Sequence, residues 1–198
     1  MRRPAKLLAG GGDGRGVRVV VGVTGASGVQ YAYALLRNLE GHDVDLVISD
    51  DARKVIAAET DLGAKAFGKL AANTYGNDDT TAPPASGSHR FDAMVVIPCS
   101  MGTLGKIAWG ISDNLISRAA AVCMKERRTL ILVPRETPLA ATHLENMLRL
   151  ANQGVVVLPA MPGFYHGPKT VDDLVNFVVG KVLDQLGIGH RLFRRWRE

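Results

Sequence analysis

Five short runs of β-favouring residues in this chain show no alternation of apolar and polar positions. They are VRVVVGV (17–23), DVDLVIS (43–49), AMVVIP (93–98), TLILVP (129–134) and GVVVLP (154–159). A strand with one wet face alternates; a strand apolar throughout is covered on both faces, as in a parallel sheet held between helices. Helical patterns separate the runs. Tyr31, Ala34, Leu35 and Leu39 recur at helical spacing within 30–40, and the segments 114–127, 143–151 and 171–186 repeat the pattern. The predicted fold class is therefore α/β, a Rossmann-like or flavodoxin-like three-layer αβα sandwich with a mainly parallel sheet.

The 198 residues fit one domain, placed at 17–190, with a glycine-rich leader (1–16) before it and a basic tail (191–198) after it. Residues 62–90, rich in Gly, Pro, Ser, Thr, Asn and Asp, read as a long loop that serves as a lid or a subunit contact. The net charge of +5 collects at the ends, in MRRPAK and RLFRRWRE, and the body has no basic–aromatic motif, which argues against nucleic acid. No run approaches the ~18 apolar residues of a membrane span. Cys99 and Cys123 form no C-x-x-C pair, and the five histidines show no metal-ligand spacing, so a reducing cytoplasm and a metal-free site are expected.

In an open parallel sheet, ligands bind beyond the carboxyl ends of the strands. The residues there are Thr24-Gly25-Ala26-Ser27, Ser49-Asp50, Cys99-Ser100-Met101-Gly102-Thr103, Arg135-Glu136 and the segment from Ala160 to His166. In VTGASG a strand feeds a glycine turn that opens a helix, and such a turn aims backbone N–H groups at a phosphate. Gly25 and Gly28 would admit the phosphate and Ser27 would add a hydroxyl, although a plain strand–helix turn has the same pattern. CSMGTL repeats the arrangement with Ser100, Gly102 and Thr103. Two such donor sets suit a mononucleotide or two separate phosphates. Neither G-x-G-x-x-G nor G-x-x-x-x-G-K-[ST] occurs, which disfavours a dinucleotide and an ATP-type P-loop. Arg118 and Lys125, seven apart, share a helix face, and Arg135 and Lys181 add further cations. Cys99 is either a nucleophile or a buried strand-end thiol.

These pieces, with the blocks APPASGS (82–88), DNLISRAAAVCMKERR (113–128), LVPRETP (132–138), HLENM (143–147) and PGFYH (162–166), resemble the UbiX-type flavin prenyltransferases from about Val17 to Gly187. The resemblance implies an FMN site of Gly25, Ala26, Ser27, Ser49, Ser100, Met101, Gly102, Thr103 and Arg135. It implies a dimethylallyl-phosphate site of Arg118, Lys125, Arg135, Tyr165 and Lys181, with Ser27, Glu59, Lys125 and Glu136 as catalytic groups. It further implies transfer of a dimethylallyl group to N5 and C6 of reduced FMN, without a metal. The product would pass to a UbiD-type decarboxylase, and the enzyme would be a closed homo-oligomer such as a dodecamer, with its site between subunits. The chain departs from the family pattern at Met101 (commonly Ser or Thr), at NDDTT before APPASGS (which lacks an aromatic), at Ala121 (often an acid) and at Trp109. Two other functions suit the same fold: an FMN-dependent decarboxylase of cysteine-type substrates, or a flavin-binding subunit without chemistry.

Overall fold

The computed structural model describes residues 16–197, so all of the expected leader except Gly16 lies outside the described residues. Six strands, β1 (Arg18–Val23), β2 (Asp43–Ile48), β3 (Asn73–Gly76), β4 (Ala93–Cys99), β5 (Thr129–Pro134) and β6 (Val156–Val157), form one sheet in the order β3-β2-β1-β4-β5-β6. Every neighbouring pair is parallel. The helices are α1 (Val29–Arg37), α2 (Asp50–Glu59), α3 (Ala64–Gly68), α4 (Met101–Ala108), α5 (Leu115–Lys125), α6 (Ala141–Asn152) and α7 (Val171–Leu186).

The unalternating runs are explained by two cores, one on each face of the sheet. Val19, Val21 and Val23 of β1 pack with α1, α2 and α7, whereas Val20 packs with Met94, Val96 and the helices α4 and α5. Gly22 lets α5 come close: a Cβ there would lie 3.3 Å from the Ile116 side chain. The expected α/β sandwich is the fold observed.

Three parts of the chain are more ordered than their sequences suggest. The segment 62–90 is no plain loop but carries α3, the edge strand β3 and a 3-10 turn at Pro83–Ala85. It is tied to the sheet by Asp45 of β2, only 2% exposed. Its carboxylate accepts hydrogen bonds from Asn73 Nδ2 at 2.9 Å and Tyr75 Oη at 3.5 Å, and pairs with His89 Nε2 at 2.8 Å. The charged segment 50–59 forms α2, whose start is capped by Ser49, its hydroxyl accepting from the Ala52 N–H at 3.1 Å. Finally, the basic tail packs on α7: the Phe193 ring lies 4.8 Å from that of Phe177, and Arg195 pairs with Asp184. Asp45→Ala is expected to cost about 2–3 kcal/mol, because it strips partners from several half-buried groups at once. A lowered melting temperature, with β3 and the 82–91 segment losing amide-exchange protection first, would confirm that tie.

Candidate active site

Strands on either side of β1 are reached by connections running in opposite directions, so the topological switch point lies between β1 and β4. Both glycine turns flank that point. Thr24, 2% exposed, joins them: its hydroxyl donates to the Pro98 carbonyl at 2.8 Å and accepts the Ser100 N–H at 2.7 Å. Replacing this hydroxyl would leave only the Thr24 N–H, 3.3 Å from the Pro98 carbonyl, to join the two turns.

The first turn is closed by the chain's own carboxylate. Gly28 caps α1 in the left-handed region (φ 97°), and a Cβ there would also meet the Tyr31 ring at 2.9 Å. Its N–H donates to Glu59 Oε2 at 2.8 Å, so the last residue of α2 occupies the start of α1. Burial pushes the Glu59 carboxyl up, but hydrogen bonds from Ser27 and from the Gly28 and Val29 N–H groups, with the Arg135 charge nearby, hold it below its ordinary pKa. Gly25 has a packing task beside the one its motif suggests. A Cβ there would sit 2.5 Å from Asp51 Cβ, so the missing side chain makes room for α2. Ala26 is buried and tightens the turn through its N–H to the Thr24 carbonyl, 2.8 Å.

A carboxyl held below its ordinary pKa stabilises the fold fully above that ordinary value, and the contribution disappears as pH falls through the depressed one. Glu59→Gln is therefore expected to flatten the acid limb of a plot of melting temperature against pH. An unchanged limb would mean the carboxylate is not ionised against this turn.

Arg135 follows β5 and reaches the same place, its Nε donating to the Ser27 carbonyl at 3.2 Å. Ser27, Gln30, Tyr31, Glu59 and Arg135, with apolar Ala160, Val171 and Val175, line a cavity of about 520 Å³. The helical spacing over 30–40 gives no sign that Gln30 and Tyr31 line a cavity. Burial pushes the Tyr31 phenol pKa up, partly opposed by Arg135.

The second turn is left open outward. Ser100 caps α4, its hydroxyl accepting from the Thr103 N–H at 3.3 Å and donating to Thr103 Oγ1 at 3.1 Å. Gly102 is exposed, with no atom within 4 Å of where a Cβ would stand. Met101, expected at the cofactor, instead turns its side chain into the core beside α5, leaving only its backbone at the helix end. Trp109, one of the departures from the family pattern, is the C-cap of this helix and is 64% exposed.

The remaining residues are not gathered by one chain. Lys125 ends α5 just before β5 begins, which places it at the amino edge of the sheet, next to Gly87 and paired with Glu126. The shared helix face with Arg118 is real, but seven residues separate them by about 10 Å along the axis. Arg118 donates to the Ser112 carbonyl at 3.4 Å. Glu136 is exposed and accepts the N–H of Thr137. Tyr165 stands edge-on to Phe177 and Trp196, and Lys181 lies about 15 Å along α7 from Val171 of the cavity wall. The Cys99 thiol is buried and burial pushes its pKa far up, which removes it as a nucleophile. Among the described residues there is no cluster suited to a metal ion, and no helix is long and apolar enough to cross a membrane.

A family model described as Flavoprotein matches residues 10–183. Over 180 residues the chain is 55% identical to the flavin prenyltransferase UbiX of Thermoplasma acidophilum, covering 91% of this chain and 100% of that relative. The chain belongs to the UbiX flavin prenyltransferase family. Among solved structures, the dodecameric FMN-dependent UbiX-like decarboxylase from Escherichia coli O157:H7 superposes with a TM-score of 0.90 at 46% identity, covering 92% of this chain and all of that one. AnUbiX (PadA1), solved with FMN and dimethylallyl pyrophosphate, gives 0.91 at 41% identity, covering 93% and 99%.

Proposed function

We propose that this chain is a flavin prenyltransferase that joins the dimethylallyl group of dimethylallyl phosphate to reduced FMN. The observation that carries this proposal is the pairing of an outward-open donor set at the start of α4 with a separate cavity built on Ser27, Glu59 and Arg135 across the switch point. FMN fits this pair. Its phosphate is assigned to Ser100, Gly102 and Thr103, where aligned N–H groups favour an anion, because Glu59 already fills the start of α1. Ser49 and Ala26 border the same edge.

Reduced FMN is the acceptor substrate. Its N5 would bond the allylic carbon as the C–O bond to phosphate breaks and the N5 proton leaves. Its C6 would then bond the other end of the unit as the double bond takes up a proton and C6 gives one up. The protein must hold the departing phosphate and keep water from the allylic carbon. Arg118, Lys125, Arg135, Tyr165 and Lys181 are assigned to the first task. Ser27, hydrogen-bonded to Glu59, is assigned to hand a proton on, and Glu136 is assigned to the acid–base steps of ring closure.

Lys125 and Arg135 stand at opposite sheet edges of one chain, so this assignment requires a site completed by a neighbouring copy. A homo-oligomer follows, of which the dodecamer named for the E. coli relative is one form. The α6 side offers a surface for it: Leu144 and Leu148, one helical turn apart, are 53% and 63% exposed. Leu148→Glu is expected to shrink the assembly in light scattering; an unchanged mass would remove this face from the interface. A cytoplasmic location and a UbiD-type decarboxylase as recipient of the product complete the proposal.

Release of inorganic phosphate tests it. With dimethylallyl phosphate and reduced FMN, release should match the flavin consumed, and oxidised FMN should give none. Release independent of flavin would overturn the proposal.

A further inference from the structure

Asp184, on the last turn of α7, collects three cationic or proton-bearing partners. Arg195 engages it as a fork, with Nη2 at 2.7 Å from Oδ1 and Nη1 at 3.2 Å from Oδ2. His190 Nε2 lies 3.1 Å from Oδ1, and Lys181 Nζ is the loosest partner at 3.5 Å from Oδ2. The Asp184 side chain is 20% exposed, whereas that of Lys181 is 44% exposed. Burial pushes the Asp184 carboxyl pKa up, but the hydrogen bonds from Arg195 and His190 prevail and hold it below its ordinary value.

A planar guanidinium satisfies both oxygens of a carboxylate, which an ammonium cannot do. While Arg195 holds both oxygens, Lys181 is only weakly drawn to them. Were the fork absent, the nearest compensating cation on the same helix would be Lys181, three residues back, and the pair would tighten. The same C-terminal segment also places the Trp196 ring 5.2 Å from that of Tyr165, edge to face. Both α7-side groups assigned to the donor phosphate are thus in contact with residues 190–196 or with the carboxylate those residues hold.

We infer that Arg195 is a positioning residue for donor binding: by occupying Asp184 it leaves the Lys181 ammonium available to the phosphate of the dimethylallyl donor. This rests on the assignment of Lys181 to that phosphate. It assigns the basic C-terminal segment a part in the site, which its composition alone does not suggest. It also makes Asp184 a carboxylate that competes with the substrate when its arginine is removed.

The test is a set of full-length variants, Arg195→Ala, Asp184→Asn, the double variant and Lys181→Ala, assayed with reduced FMN and dimethylallyl phosphate. Arg195→Ala should raise the KM for dimethylallyl phosphate about fivefold, the scale of one half-exposed ion pair, with kcat and FMN affinity changing less. Asp184→Asn should leave that KM near wild type, and the double variant should resemble Asp184→Asn. A purely structural clamp gives the opposite pattern, with Asp184→Asn and the double variant both as impaired as Arg195→Ala, and that pattern overturns the inference. So does an unchanged KM in Arg195→Ala while Lys181→Ala raises it. If Lys181→Ala leaves the KM unchanged, the phosphate assignment itself fails and the inference with it. Should Arg195→Ala not fold, Arg195→Lys, which keeps the charge but not the fork, should show an intermediate KM, and a wild-type KM there overturns the inference.

Discussion

Arg135→Ala should release flavin and reduce prenyl transfer by roughly 100- to 1,000-fold, the scale of losing one preorganised charged donor, about 2.7–4 kcal/mol. Three effects converge on this residue. Its Nε holds the Ser27 carbonyl, so its loss loosens the turn that carries the serine. Its charge adds to the hydrogen bonds that hold the Glu59 carboxyl below its ordinary pKa, so its loss weakens that hold. It also lines the cavity directly, where its charge faces a bound anion. Arg135→Lys should recover part of the activity, since a point charge restores the field but not the directed bond to Ser27. Flavin retention and turnover measured on both variants check this; wild-type values for Arg135→Ala would return the residue to a solvated strand end.

Lys125→Ala should behave differently: flavin stays bound, while prenyl transfer slows by about 2–4 kcal/mol in barrier. Within one chain, Lys125 lies at the amino edge of the sheet, away from Ser27, Glu59 and Arg135. A large effect is intelligible only if its ammonium serves the site of a neighbouring copy. Co-assembly sharpens the expectation. Arg135→Ala and Lys125→Ala chains, each impaired alone, should regain activity when mixed, because some sites receive both intact residues. Mixtures no more active than either parent would place Lys125 outside the site.

The sheet was legible in the sequence because β1, β2, β4 and β5 are covered on both faces and are largely apolar, and because the valines of 155–157 mark β6 even though it is a half-buried edge strand. β3 was not, for a physical reason: NTYG is an edge strand paired only to β2, and its partly exposed residues need not be hydrophobic. Charged residues likewise hid α2, although Ser49 before Asp50 and Asp51 is an N-cap signal that was read as a ligand contact instead. The turn residues at the switch point were legible as a set, but their tasks were not. Gly25 yields to Asp51, Gly28 yields to Tyr31, and Met101 serves the core. Glu59 lies 31 residues from the N–H it accepts. No local pattern links such positions; only the family resemblance pointed to it. Lys125 shows the converse limit, since periodicity gives the face of a helix but not which end of the sheet that face reaches.

The mass of the flavin itself tests the central claim most directly. The full-length protein is incubated without oxygen with reduced FMN and dimethylallyl phosphate, and the flavin is extracted and weighed by mass spectrometry. A flavin heavier by one five-carbon unit, formed only when protein, reduced FMN and donor are all present, is the predicted result. Flavin of unchanged mass, from protein shown to be folded and loaded with FMN, would contradict the account.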